Sequence, residues 1–137
     1  MFMAEIRVGR LLEVRMRSPL SLHEAQALVV DIRRLVKGTR GPSLGVIDLR
    51  GVKLLDPDVV DFLGELMRRD NPWLARNAFI LAEASAVKTL QVERMLKEGG
   101  SSSRRGFRGR SDAEAWLGEV LDDAEKTRLR AFLDEAP

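Results

Sequence analysis

Residues 46–63 read Val46-Ile47-Asp48-Leu49-Arg50-Gly51-Val52-Lys53-Leu54-Leu55-Asp56-Pro57-Asp58-Val59-Val60-Asp61-Phe62-Leu63. The apolar run Leu44 to Leu49, with β-branched Val46 and Ile47 at its centre, has the pattern of a strand buried on both faces. Asp48 interrupts that run. After a short loop, Pro57 opens a helical pattern that continues to about Arg69. Val59, Val60, Phe62, Leu63, Leu66 and Met67 form its apolar side. Asp70-Asn71-Pro72 then stops it. A buried strand followed at once by an amphipathic helix is the unit of an α/β fold.

Upstream, Ile6 and Val8 alternate with Arg7, and Leu12, Val14 and Met16 alternate with Glu13, Arg15 and Arg17. Both pieces have the period of half-buried strands, separated by Gly9 and close enough for a tight hairpin. Ser18-Pro19 breaks the alternation. Ser21-x-x-Glu24 is a capping box, and Leu22, Ala25, Leu28, Val29, Ile32, Leu35 and Val36 make one helical stripe ending near Gly38. Downstream, Ala78 to Ala82 reads as a second buried strand. Ser85 can cap a helix through about Glu98, which Gly99-Gly100 ends. The loop-like stretch Gly99 to Arg110 leaves room for a short strand around Phe107. Ser111-x-x-Glu114 forms another capping box before Trp116, Leu117, Val120 and Leu121. Asp122 with Glu125 offers a further cap for a helix burying Leu129, Phe132 and Leu133, continuous with the preceding one or separate from it. The order β-β-α-β-α-β-α-(β)-α-α predicts an α/β domain. Its mixed sheet has a parallel centre, an N-terminal β-hairpin, right-handed crossovers with helices packed on the sheet, and an extra C-terminal helix.

A length of 137 residues suits one domain. The formal charge is +2, from 23 Lys+Arg against 21 Asp+Glu, so net charge makes no case for nucleic acid. With no Cys there is no disulfide framework, thiolate metal site or Cys nucleophile. The longest apolar run is far too short to span a bilayer, and the N-terminus carries Glu5 where a signal peptide would need an apolar stretch. A cytoplasmic location is the expectation.

Three segments together resemble the STAS domain, the fold of anti-sigma-factor antagonists and of the cytoplasmic tails of sulfate transporters. VIDLRGVKLLDPDVVDFLGELM is similar to that family's strand, Asp-Leu, short loop and helix. AFILAEASAVKTLQVERMLKEGG resembles the next strand and helix, and FRGRSDAEAWL the last strand and a C-terminal helix. The resemblance runs over roughly residues 4 to 121, which gives residues 1–121 as a STAS-like domain, with 122–137 as a helical extension of the same domain. It implies a bacterial signalling module that binds a protein partner. The family's regulatory motif, Asp-Ser-Ser/Thr-Gly, matches here only at Asp56. Pro57 stands at the position of the phosphorylated Ser, Asp58 replaces the second hydroxyl residue and Val59 replaces Gly. Phosphorylation at that point is therefore not available to this chain.

Asp56-Pro57-Asp58 has two readings. Asp at the N-cap, Pro at the first helical position and an acid in the first turn are all favoured by helix chemistry alone. The same acids, with Asp61 and the flanking Lys53, also form a candidate partner-binding site based on charge. The segment Ser101 to Arg110 carries Arg104, Arg105, Arg108 and Arg110 around Phe107. It reads either as a loop with a basic edge strand or as a surface for an anionic partner. His23 has no companion ligands, so neither a metal site nor a triad is indicated. No phosphate-binding Gly loop occurs. Asp48 is read as a hydrogen-bonded structural acid, as the resemblance implies, rather than a catalytic carboxylate. Trp116 reads as a packing residue, and Trp73 as a satellite of the core or a partner anchor.

The expected function is non-catalytic, with no cofactor: a regulatory module docking a protein partner through residues 56–61. Two other functions are open. One is a carrier of a lipid or small apolar ligand, with a cavity between the Pro57 helix and the sheet lined by residues such as Phe62 and Leu66. The other is a homo-oligomeric scaffold joined through Leu129, Phe132 and Leu133.

Overall fold

Alternating and fully apolar strands of this length need a sheet covered on both faces. A computed structural model of the chain describes residues 1–70, 74–82 and 86–137 and has that arrangement. The elements are β1 (Phe2–Ile6), β2 (Leu11–Arg17), α1 (Leu22–Lys37), β3 (Ser43–Gly51), α2 (Pro57–Asp70), β4 (Leu74–Ile80), α3 (Ala86–Gly99), β5 (Arg104–Phe107), α4 (Arg110–Gly118) and α5 (Asp123–Asp134). The strands lie in the sheet in sequence order, β1-β2-β3-β4-β5. β1 is antiparallel to β2, and the other pairings are parallel. Right-handed crossovers between successive neighbours put every connecting helix on the same face. Accordingly α1, α2 and α3 share one core with Leu12, Val14, Met16, Ile47, Leu49 and Phe79. The opposite face, with Leu11, Leu44, Val46, Ala78 and Ile80, is covered by α4 and α5.

Several boundaries differ from the sequence pattern. The first strand runs from Phe2 to Ile6 rather than over Ile6 and Val8, because the turn is already under way at Gly9, whose φ is +56°. Only glycine adopts that conformation without strain. β4 starts at Leu74 and ends at Ile80, because β3 offers it partners from Ser43 onward. Polar Arg76 and Asn77 hide this extension from the hydrophobic pattern. α4 and α5 are separate helices. The expected Ser111–Glu114 box does not form: Gly109 holds the N-cap without a side-chain bond, and Glu114 pairs with Arg110 at 2.8 Å. The Asp122–Glu125 box forms in full. The expectations for Asn71, Pro72, Trp73 and Ser85 fall outside the described residues.

The largest correction concerns Glu13 and Arg15, whose alternation in β2 predicted a solvent-facing side. Both are buried under α5. Burying them requires partners. Glu13 receives two bonds from Arg128, at 2.7 and 2.8 Å. Arg15 binds Asp48 at 3.1 Å, Glu135 at 3.0 Å and the Phe132 carbonyl at 3.0 Å, with its guanidinium over the Phe132 ring. Leu129, Phe132 and Leu133, which the sequence pattern has the last helix bury and the scaffold alternative has meet a second chain, are buried in the same chain against this face.

Candidate functional site

The loop from β3 to α2 is held by two residues of α3. Lys88 is almost fully buried and donates from Nζ to the Leu49 carbonyl at 2.8 Å and the Val52 carbonyl at 2.6 Å. Burial lowers its ammonium below the ordinary lysine range, and the Asp48 charge offsets part of that. Gln91 clasps Leu55 on both sides, accepting from its N–H at 3.1 Å and donating to its carbonyl at 2.8 Å. Ser18 Oγ accepts the Lys53 N–H at 2.8 Å. Behind the loop, Asp48 is fully buried. Burial acts to raise its carboxyl, but the Arg50 side chain and N–H, together with Arg15, outweigh that and hold it below the usual carboxylate range. Its oxygens are saturated by this structural role.

On this base, α2 starts as the sequence predicts, but the acids divide their work unexpectedly. The Asp56 carbonyl accepts the Val60 N–H at 3.0 Å, which places Asp56 at the N-cap. It is the Asp58 carboxylate that takes an orphan N–H, from Val59 at 2.8 Å. Among the described residues the Asp56 carboxylate has no hydrogen bond or ion pair and faces solvent. Asp58, Asp61 and Lys53 are also exposed. Asp61 borders a shallow groove between α2 and α3 with Glu65, Arg68 and Glu98. Gln91 ties Leu55 to the second turn of α3; Leu54, its neighbour in the chain, is exposed, as are Val87 and Leu90 on the first turns of α3. These three side chains are 57%, 59% and 67% exposed. Sequence reading missed them because their spacing differs little from that of core positions.

The four arginines of the basic segment are mostly engaged within the chain. Arg104 is buried at the start of β5, and burial lowers its guanidinium to about 10 against the opposing pull of Asp70. Arg105 lies over the Trp116 ring, and Arg110 pairs with Glu114 and Asp134. Arg108 is exposed. Trp116 itself stacks at a tilt on Phe107. His23 is exposed.

At the other end of the sheet the α1–α2 side is not filled. A cavity of about 810 Å³ lies between α1, α2 and the strands. Its apolar walls include Leu12, Val14, Leu28, Ile32, Leu66 and Phe79; Phe62, expected there, does not line it. Polar groups gather where α1 and α2 end and β3 to β5 begin: Arg33, Lys37, Asp70, Asn77 and Arg104. Asn77 is 6% exposed, and among the described residues its Nδ2 has no hydrogen-bond partner.

Among the described residues, no three His, Cys, Asp or Glu side chains cluster to hold a metal. No helix among them is long and apolar enough to cross a membrane. Neither known family models nor curated proteins give a match to this chain.

Proposed function

We propose that this chain is a non-catalytic regulatory module of the STAS type, acting in the bacterial cytoplasm. It docks a protein partner on the face formed by the starts of α2 and α3. The observation that carries the reading is the exposure of Leu54 in the loop before α2 and of Val87 and Leu90 on the first turns of α3, on segments that Gln91 ties together, with the exposed Asp56 two residues from Leu54. An apolar patch rimmed by charge is the usual composition of a protein contact surface. The loop that presents it is fixed by Lys88 and Gln91, so little ordering is needed on binding. The acids Asp56, Asp58 and Asp61, continuing into Glu65 and Glu98, favour a partner with a basic rim. The strand order and N-terminal hairpin agree with the element order the STAS resemblance implies.

With Pro57 in the serine position, Asp56 and Asp58 stand as fixed negative charges where the family uses a removable one. Asp58→Ser is expected to change affinity for an anti-sigma-like kinase, measured by calorimetric titration. Unaltered affinity would remove these acids from the recognition site.

A further inference from the structure

We propose that the cavity between α1, α2 and the sheet binds a single-chain amphiphile with an anionic head, of the fatty-acid class. This site is at the opposite end of the sheet from the docking face and does not rest on it. The volume, about 810 Å³, is in the range of small-molecule sites. Its walls are side chains of Leu, Val, Ile, Met and Phe from both helices and three strands, which suit an acyl chain. Gly45 in β3 makes room for a polar lining residue, because a Cβ there would fall on the Asn77 amide. The cavity wall therefore carries an amide at this end, where the neighbouring strand positions carry Val14, Ile47 and Phe79.

The polar end selects the head group. Asn77 is a buried amide whose Nδ2 has no partner among the described residues, an arrangement that native interiors seldom tolerate without a ligand or water. The same cavity is lined by three cations, Arg33, Lys37 and Arg104, the last opposite Asn77 in the sheet, against one acid, Asp70, which lies 3.6 Å from Arg33. The carbonyl ends of α1 and α2 oppose an anion here, and the excess of cations outweighs them. A carboxylate at this end would accept from the Asn77 amide and from the cations while its chain runs between α1 and α2.

The test is a fluorescence titration of the full chain with cis-parinarate, followed by displacement with palmitate and with hexadecanol. Saturable binding of one probe per chain is expected, with palmitate displacing it more strongly than the neutral alcohol. Lys37 is exposed, so Lys37→Glu leaves the core intact. It should weaken palmitate roughly tenfold while leaving hexadecanol unchanged. Leu66→Trp fills the cavity and, provided circular dichroism shows it folded, should abolish binding of both. Absence of saturable binding to the wild type overturns the proposal. So does equal displacement by alcohol and acid, a Lys37→Glu variant with unchanged palmitate affinity, or a folded Leu66→Trp variant that still binds.

Discussion

Asn77→Leu is expected to make the empty protein more stable, although it replaces a polar residue in a strand. Asn77 is 6% exposed, and its Nδ2 has no partner among the described residues, so folding takes a donor out of bulk water without giving it a protein acceptor. An unsatisfied buried donor costs about 1–3 kcal/mol. Leu has the same γ-branched skeleton with bulkier ends, and the adjoining cavity takes the extra volume while the new apolar surface meets an apolar wall. The unfolding entropy is about 2.1 cal/mol/K per residue, or about 0.29 kcal/mol/K over 137 residues. A gain of about 1–3 kcal/mol therefore raises Tm by about 3–10 °C. Urea unfolding, on protein first extracted to remove bound amphiphile, should show a higher midpoint with an unchanged slope. The same variant should bind palmitate more weakly. A lower or equal midpoint would refute the reasoning, since it would mean that the Asn77 amide is already satisfied.

Asp48→Ala should destabilise by about 3–5 kcal/mol in urea unfolding, because it strands Arg15 in the interior with only Glu135 and the Phe132 carbonyl for partners. The pH dependence follows from Asp48 as well. Its carboxyl is held below the ordinary 3.8, so the unfolded chain binds the proton more tightly. Stability is full above 3.8 and is lost as pH falls through the folded value, and Asp48→Asn should flatten that acid limb in thermal melts. Lys88 works in the opposite range: its pKa is lowered in the fold, so its unfavourable contribution diminishes as pH rises through the folded value towards 10.5. Gly9→Ala should cost about 1–2 kcal/mol from backbone strain alone. The cost should be larger in measurement, because the new Cβ falls on the Glu125 carboxylate that binds the Arg10 N–H.

The architecture could be read from the chain because its signals are local. Val46 and Ile47 mark a central strand, Ser21 marks a helix start, and the alternation of strand and helix then fixes parallel pairing and one-sided crossovers. What escaped depends on contacts between distant residues. Glu13 and Arg15 look like solvent-facing positions because alternation reports the period of a strand, not what covers its second face. Their partners, Arg128 and Glu135, lie more than a hundred residues away. Lys88 is similar: nothing in Ala86-Val87-Lys88-Thr89 marks the lysine that turns inward to hold one carbonyl near the end of β3 and one in the loop after it. Asp56 was readable as a helix start but not as a carboxylate left unused by its own cap. A cavity between the α2 helix and the sheet was only a condition of the carrier reading, and its polar end was not read at all, because Gly45 and Asn77 become neighbours only through the pairing of β3 with β4.

The docking face is the central functional claim, and quantitative affinity capture from the native cell tests it most directly. Three baits are compared: the wild-type chain, a Leu54→Asp/Leu90→Asp variant, and Val30→Asp. Val30 is 66% exposed on α1, so it serves as a control for surface apolar loss elsewhere. The account predicts a partner retained by the wild type and by Val30→Asp and lost from the Leu54/Leu90 variant. A partner held equally by all three baits, or lost equally from both variants, would contradict it.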